Sequence, residues 1–271
     1  FLNQDIKMIA IDLDETLLRD DISVSSYTKS VLNKVQELGI RVVIATGRMF
    51  QAARPWGIEL GLGDVPMVVY TGSMTAMCQS GTIINYLPLD LALAKDILRE
   101  GRKHGWYMQF YARDELYVPF RDERTCTYEK NCRVKAKVIG DDFWNPTEAP
   151  IKILVFEQDA KVMEQVSHVM IEKFGNRAGY VRSSECFFEL NSKDASKGYA
   201  LEALCLQWDI SPDQMMVFGN AGNDISMLDL TPWSFAVKNA TESVKKVAQF
   251  ITDSNNDDGV AKALEKYILK K

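Results

Sequence analysis

The sequence has little of what zinc sites and disulfide frameworks need. Its 271 residues include two histidines and five cysteines. None of the cysteines forms a CxxC pair or lies close to a histidine, whereas structural zinc sites depend on such short spacings. We therefore expect reduced thiols rather than a metal cluster or a disulfide-bonded fold.

Other absences narrow the class of protein. No apolar run is long enough to span a bilayer, and the opening FLNQDIK does not have the shape of a signal peptide. The formal net charge is -5, with acidic and basic residues interspersed, so no basic block favours nucleic acid or an anionic membrane. The GxGxxG and GxxxxGK[ST] patterns of nucleotide-binding loops are missing. We expect a cytoplasmic protein that acts on small molecules, with no nucleic-acid or membrane partner.

The first and last thirds of the chain alternate between strand and helix patterns. Short apolar segments rich in β-branched residues (MIAIDL, IRVVIATG, MVVY) alternate with segments of helical periodicity (SSYTKSVLNKVQELG, RMFQAARPWGIEL). The alternation resumes near Ser196 with the helix SKGYALEALCLQW, the strand MMVFG, the helix ISMLDL, the strand SFAVK and a final helix from Gly259. Repeated βα units predict an α/β fold with a doubly wound parallel sheet, whose ligands bind at the carboxyl ends of the strands.

The middle of the chain has a different character. A hairpin is predicted in MTAMCQSGTIINYLP, followed by a long helix, a strand pair in WYMQFYARDELYVPF, and then a strand, a helix and a further strand pair. Hairpins mixed with helices indicate an α+β insert over residues 82–189. Residues 1–81 and 190–271 would then form one core domain that the insert interrupts.

Four short stretches at predicted strand ends or helix starts carry the chemistry: DLDETL, ATGR, SKG and GNAGND. Asp12 suits a covalent nucleophile, because a carboxylate beside a metal can attack phosphorus without first losing a proton. Asp14 is expected to be half buried beside that like charge and to act as general acid and base. Thr46 can donate to a phosphate oxygen, the Gly47 backbone can approach closely, and Lys197 supplies positive charge. The set indicates phosphoryl transfer.

These stretches resemble the four motifs of the haloacid dehalogenase superfamily, and the long insert resembles that of the Cof-type phosphatases with a class IIB cap. The tail SNNDDGVAKAL is also similar to the family's ending. The resemblance implies a Rossmann-like core, a cap that closes over the substrate, an essential Mg²⁺ and an aspartyl-phosphate intermediate on Asp12. An acid two residues after the nucleophile, here Asp14, is typical of the family's phosphotransferases rather than its dehalogenases.

The resemblance also implies roles for individual residues. Catalysis would fall to Asp12, Asp14, Thr46 and Lys197. Phosphate would be bound by Asp12, Leu13, Thr46, Gly47, Lys197 and Asn223, and the metal by Asp12, Asp14 and Asn220, with Asp224 orienting its waters.

Three positions depart from the family pattern. Asn220 stands where the family usually has a metal-binding aspartate; its amide oxygen can coordinate a hard cation but brings no charge, so metal affinity should fall. Glu15 replaces the commoner glycine. Thr71, in YTGS, stands where Asn-Gly is frequent, which puts one hydrogen bond at the edge of the site in doubt.

The sequence therefore predicts a Mg²⁺-dependent phosphomonoesterase that hydrolyses small phosphorylated metabolites, sugar phosphates first among them. Its partner would be a small phosphate ester, and its assembly a monomer or a weak homodimer. Two alternatives stay open. One is a phosphomutase of the same superfamily. The other, motivated by Asn220, is a catalytically weakened protein that binds a phosphate ligand.

Overall fold

The computed structural model describes residues 5–270. Within them the strands are β1 (Met8–Ile11), β2 (Arg41–Ile44), β3 (Pro66–Val69), β4 (Met74–Met77), β5 (Ile83–Tyr86), β6 (Met108–Ala112), β7 (Glu115–Val118), β8 (Ala136–Val138), β9 (Lys152–Phe156), β10 (Ala178–Ser184), β11 (Phe187–Ser192), β12 (Met215–Gly219), β13 (Trp233–Val237) and β14 (Phe250–Thr252). The α-helices are α1 (Ser26–Glu37), α2 (Phe50–Glu59), α3 (Leu91–His104), α4 (Glu123–Cys132), α5 (Ala160–Phe174), α6 (Lys197–Trp208), α7 (Ile225–Leu228), α8 (Glu242–Val247) and α9 (Gly259–Leu264).

The described chain divides into two compact units. The first comprises the residues up to Gly47, Ala53–Ile84 and the residues from Ser196 onward; the second comprises Arg48–Ala52 and Asn85–Ala195. The predicted boundary after residue 189 falls inside β11, because that strand continues to Ser192. That the insert is a cap that sets substrate specificity stays a prediction.

A five-stranded parallel sheet, in the order β14-β13-β12-β1-β2, forms the centre of the first unit. All four residues of β1 are fully buried, as expected for a strand covered on both faces. Ile11 pairs with Phe218 and Ile44, so β1, β12 and β2 end side by side. The predicted α/β fold with a parallel core sheet is confirmed, and the loops after these three strands meet at one edge.

The third predicted strand differs from expectation in its pairing. β3 forms, but it pairs antiparallel with β4 in a separate sheet of order β3-β4-β5. It is linked to the parallel sheet by an isolated bridge between Ala45 and Val68, where the Thr46 amide donates to the Val68 carbonyl at 2.8 Å. A short apolar run such as MVV suits either pairing, so periodicity alone could not choose between them.

The second unit is built on a six-stranded sheet of order β10-β11-β9-β6-β7-β8. Its pairings are antiparallel except for β7 with β8. Residues of α3 and α5 form an apolar core with β6, β9 and β11, in which Ile97, Phe110, Ile153 and Met170 are almost completely buried. The predicted α+β character of this segment is confirmed.

Four elements escaped prediction: α4, β8, α8 and β14. In α4 the mostly polar sequence ERTCTYEKNC shows no clear apolar stripe. Its start is nevertheless marked by a capping box, in which the Asp122 carboxylate accepts from the Arg124 and Thr125 amides and the Asp122 amide donates to the Thr125 hydroxyl. Asp122, as an N-cap residue, was therefore the feature of the sequence that could have predicted the start of α4.

Two remaining expectations concern the location of the protein. Between residues 5 and 270, no helix combines the length and apolar character that crossing a membrane requires. The signal-peptide expectation rests partly on residues 1–4, which lie outside the described residues.

Candidate active site

Asp12 lies at the carboxyl end of β1, and its side chain is buried. Its backbone amide donates to the Phe218 carbonyl at 3.1 Å, which fixes it beside the end of β12. After Asp12 the chain turns: the Leu18 amide reaches back to the Leu13 carbonyl at 2.8 Å, and Glu15 takes a left-handed φ of 57°. Leu13 is fully buried within this turn.

The turn separates the two predicted acids, and it corrects one expectation. Asp14 is exposed and not half buried. Because the chain leaves the extended conformation after Asp12, alternate residues no longer lie on one face of a strand. Asp12 and Asp14 therefore differ in burial, with Asp12 only 5% exposed.

Lys197 is the first residue of α6 and is completely buried. Its Nζ donates to Asp12 Oδ1 and to Asp224 Oδ1, both at 2.6 Å. A buried ammonium at a helix N-terminus is unfavourable, both for its lost hydration and for the helix dipole. Burial by itself would lower the pKa of Lys197, but the Asp12 and Asp224 carboxylates outweigh it and raise the pKa above its usual value. Lys197 is therefore a fixed positive charge.

The electrostatics of Asp12 follow from the same cluster. Burial, helped by the nearby Asp224 and Asp14 carboxylates, raises the pKa of Asp12 to about 7 against the opposing effect of Lys197. Two carboxylates, Asp12 and Asp224, share one ammonium, and this leaves an excess of negative charge. The cluster would therefore be stabilised by a further cation.

The turn after β12 is held by Asp224. Its Oδ2 accepts from the Asn220 amide at 2.8 Å and from the Ala221 amide at 3.0 Å, while its Oδ1 bonds Lys197. Gly219 is required for this packing, since a Cβ there would lie 2.5 Å from the Asp224 Cβ. Asp224 thus links the turn to the lysine.

Asn220 is buried, and its side-chain oxygen accepts from the Thr16 hydroxyl at 3.1 Å. Thr16, which lies in DLDETL, was not among the predicted site residues. Its place in that first motif was the only signal for it in the sequence, since its partner is 204 positions away. Thr16 fixes the direction of the Asn220 amide oxygen.

The loop after β2 brings Thr46 and Gly47 to the same edge of the sheet. Thr46 is fully buried, and its carbonyl accepts from the Thr71 amide at 3.1 Å. A Cβ at Gly47 would lie 3.3 Å from Thr71 Oγ1 and 3.6 Å from Asn223 Nδ2. Gly47, Thr71 and Asn223 are therefore immediate neighbours, although they come from three different loops.

Gly72 holds the turn after β3 against the start of α6. Its φ is 93°, and a Cβ there would lie 2.1 Å from the Ser196 carbonyl oxygen. Ser196 is the residue before Lys197, and its side chain caps α6 by accepting from the Tyr199 amide. The position of Lys197 therefore depends on a glycine at residue 72.

Replacing this glycine tests that dependence. Gly72→Ala is expected to lower the free energy of unfolding by about 3 kcal/mol or more, because a left-handed alanine and a backbone clash act together. Gly39→Ala is the matched control: Gly39 also has a left-handed φ, of 79°, but no atom within 4 Å of the added Cβ. The control should cost only about 1–2 kcal/mol. Urea denaturation of both variants measures the difference, and equal losses would contradict the proposed close approach.

The structure thus brings Asp12 and Asp224 into direct contact with Lys197 and places Gly47 beside Asn223. Asn220 lies in the turn that Asp224 holds, Thr46 precedes Gly47, Leu13 is buried in the turn after Asp12, and Asp14 lies at the surface. This arrangement combines a buried carboxylate, a fixed cation and polar groups from three loops at one sheet edge.

Comparisons with known proteins find similar hydrolases and phosphatases of one family. Residues 9–264 match the family model of haloacid dehalogenase-like hydrolases. The chain is 28% identical to phosphatase YwpJ of Bacillus subtilis, over 94% of this chain and 98% of that protein. It is 26% identical to the 5-amino-6-(5-phospho-D-ribitylamino)uracil phosphatase YitU of the same organism, over 96% of this chain and 97% of the relative. A haloacid dehalogenase-like hydrolase from Bacteroides thetaiotaomicron superposes with a TM-score of 0.87 at 26% identity, covering 96% of this chain and 98% of that one.

Proposed function

This chain belongs to the haloacid dehalogenase-like hydrolases and is a phosphatase, and we propose that it hydrolyses small phosphate monoesters with Mg²⁺ through an aspartyl-phosphate on Asp12. The observation that carries the proposal is the buried contact of Lys197 Nζ with Asp12 Oδ1 and Asp224 Oδ1, each at 2.6 Å. Lys197 engages one oxygen of Asp12, and the second oxygen would attack phosphorus. The ammonium would also neutralise charge on the transferring group.

The reaction would proceed in two displacements. In the first, a bond forms between an Asp12 carboxylate oxygen and phosphorus, the bond from phosphorus to the ester oxygen breaks, and Asp14 protonates that oxygen. In the second, the Asp14 carboxylate takes a proton from water, whose oxygen attacks phosphorus. The acyl-phosphate bond then breaks, releasing inorganic phosphate and the Asp12 carboxylate. The surface position of Asp14 suits a group that must reach both the leaving alcohol and water.

The remaining predicted residues would bind the phosphoryl group. Leu13 and Gly47 would contribute backbone, and Thr46 and Asn223 would contribute side-chain donors. The neighbouring positions of Gly47 and Asn223 support this set.

The donors present suit Mg²⁺. Asp12, Asp14 and Asn220 would supply oxygen ligands, and Asp224 would orient waters around the ion. Among residues 5–270, no three His, Cys, Asp or Glu side chains are arranged to hold a metal by themselves. That arrangement suits Mg²⁺, which is usually held by one or two carboxylates and keeps several waters. When bound, the ion would offset the excess negative charge of the cluster and of the phosphoryl group.

Residues 82–189 would form a cap that closes over the substrate, excludes water and sets specificity. Sugar phosphates are the substrate class that we favour. The name of YitU specifies a phosphate ester of a ribityl chain, which supports a small phosphorylated polyol or sugar. A cytoplasmic location and a monomer or weak homodimer stay predictions.

Hydrolysis rates across a panel of phosphate esters test the proposal. Release of inorganic phosphate is expected with Mg²⁺ and should stop on chelation, with sugar phosphates among the faster substrates. Turnover that survives chelation would contradict the role of the metal. Conversion of a sugar phosphate to its isomer in the presence of a bisphosphate activator, without net release of inorganic phosphate, would indicate a phosphomutase.

The amide at residue 220 gives a further prediction. Asn220→Asp should lower the Mg²⁺ concentration needed for half-maximal activity about ten-fold, because the affinity of a hard cation depends on the charge of its ligands. The added carboxylate can still accept from Thr16. Asn33→Asp, at an exposed position of α1, adds the same charge elsewhere and should change nothing.

A Mg²⁺ titration of activity for the three proteins measures this effect. An unchanged Mg²⁺ requirement in Asn220→Asp would show that residue 220 is not a metal ligand. If neither the parent nor Asn220→Asp turns over at saturating Mg²⁺ while both bind phosphate, the chain is a phosphate-ligand binder, the rival that Asn220 suggests.

A further inference from the structure

A buried hydroxyl at the edge of the site has no hydrogen-bond partner. Thr71 is 8% exposed, and its Oγ1 is one of three buried side-chain polar atoms, among residues 5–270, without a partner. Leaving a buried hydroxyl unpaired destabilises a folded protein, so such groups are rare and call for a physical reason. A role in binding a ligand is one such reason.

The backbone around this hydroxyl is also unusual. Tyr70 and Thr71 have left-handed φ values of 51° and 56°, and Thr71 is β-branched, which makes that conformation costly. The strain places the Thr71 side chain beside Gly47, within 3.3 Å of where a Cβ would lie. The Thr71 amide meanwhile donates to the Thr46 carbonyl, so a backbone hydrogen bond joins the two loops.

The neighbouring groups indicate which kind of ligand would form a hydrogen bond with the Thr71 hydroxyl. Asn223 Nδ2 lies 3.6 Å from the same point beside Gly47, and it is a hydrogen-bond donor only. A Cβ at residue 47 would fill the space between these two groups, which the glycine leaves open. Gly47 and Asn223 are both partly exposed, so the space borders solvent. Two donors around an open point suit an anionic oxygen rather than a cation.

We propose that Thr71 Oγ1 donates, together with Asn223 Nδ2, to an oxygen of the bound phosphoryl group. Thr71 is then a phosphate-binding residue, and its hydroxyl supplies the bond that the loss of the usual Asn-Gly put in doubt. The assignment rests on the proposed function, since it uses the same phosphate site. The unpaired hydroxyl and the strained turn are the structural cost of keeping this donor ready for phosphate.

Thr71→Val tests the proposal, because it removes the hydroxyl and keeps the β-branched shape. The inhibition constant of inorganic phosphate, measured against p-nitrophenyl phosphate hydrolysis, should rise about ten-fold or more, as expected for a lost hydrogen bond to a charged group. The melting temperature without ligand should stay equal or rise, since no bond is broken. Thr71→Ser should keep phosphate inhibition within about three-fold of the parent, because it retains the donor.

Thr231→Val is the matched control. Thr231 is also buried, but its hydroxyl donates to the Met215 carbonyl at 2.7 Å. This variant should melt at a lower temperature and leave phosphate inhibition unchanged, which is the opposite pattern. Should Thr71→Val fail to fold, Thr71→Ala removes the same hydroxyl with less bulk and takes its place.

The outcomes separate the two proposals. If the parent is active and inhibited by phosphate, and the inhibition constant is unchanged in the variant without the hydroxyl, the role of Thr71 is overturned. The proposed function then still stands. A lower melting temperature with unchanged inhibition would make Thr71 purely structural. A parent that neither hydrolyses the ester nor binds phosphate overturns the proposed function, and this assignment with it.

Discussion

Asp12→Asn is expected to lower kcat for phosphate ester hydrolysis by at least about 10⁴-fold, because an amide cannot serve as the nucleophile. Asparagine has nearly the same shape, and its side-chain oxygen can still accept from Lys197. The substitution also removes a buried carboxylate whose pKa burial and neighbouring acids raise to about 7. We therefore expect the variant to be folded and as thermally stable as the parent, so that the loss is chemical.

The measurement is steady-state phosphate release at saturating Mg²⁺, with melting curves of the same preparations. Asp229→Asn is the matched control, because Asp229 is exposed just after α7 and lies outside the predicted site. It should retain the parent's rate. If Asp12→Asn turns over as fast as the parent, the aspartyl-phosphate mechanism is wrong, whatever the metal requirement.

Much of the fold could be predicted because its buried strands are short, continuous apolar runs in the sequence. The strand predicted in MMVFG is β12 with the same bounds, since five consecutive apolar or small residues fit a strand buried on both faces. The carboxyl ends of parallel strands lie at one sheet edge, so the three loops that follow such strands begin there whatever their sequences. For that reason the convergence of Asp12, Thr46 and Asn220 on one edge was foreseeable from the order of the elements. The family membership predicted from the four motifs is confirmed by the match over residues 9–264.

The details of the site depend on geometry that no pattern encodes. The sequence shows Asp12 and Asp14 two residues apart, but not that the backbone turns between β1 and Glu15 and leaves Asp14 at the surface. Nor does it show that Lys197, 185 positions from Asp12, loses all of its exposure. The unpaired hydroxyl of Thr71 is invisible in the sequence for the same reason, because its surroundings come from loops far apart in the chain.

Lys197→Met should have the second large effect, and it should act on both activity and stability. Breaking a buried ion pair by removing one partner costs about 3–5 kcal/mol, because the remaining charges are left uncompensated. Here two carboxylates, Asp12 and Asp224, lose their shared partner. Activity should fall at least about 10³-fold, since the fixed charge beside the transferring group is lost. Urea denaturation and phosphate release measure the two losses separately.

The control and the partial rescue distinguish the two losses. Lys152→Met removes a second buried lysine ion pair, in which Nζ lies 3.3 Å from Glu189 and the lysine is 3% exposed. Lys152→Met should lower the free energy of unfolding about as much as Lys197→Met does. Its folded molecules should still hydrolyse a small ester such as p-nitrophenyl phosphate. The double variant Lys197→Met with Asp224→Asn should regain part of the stability, because one stranded carboxylate becomes neutral, but none of the activity. Recovery of turnover in that double variant would mean that Lys197 only balances the charge of Asp224, and its proposed role toward phosphate would then have to be abandoned.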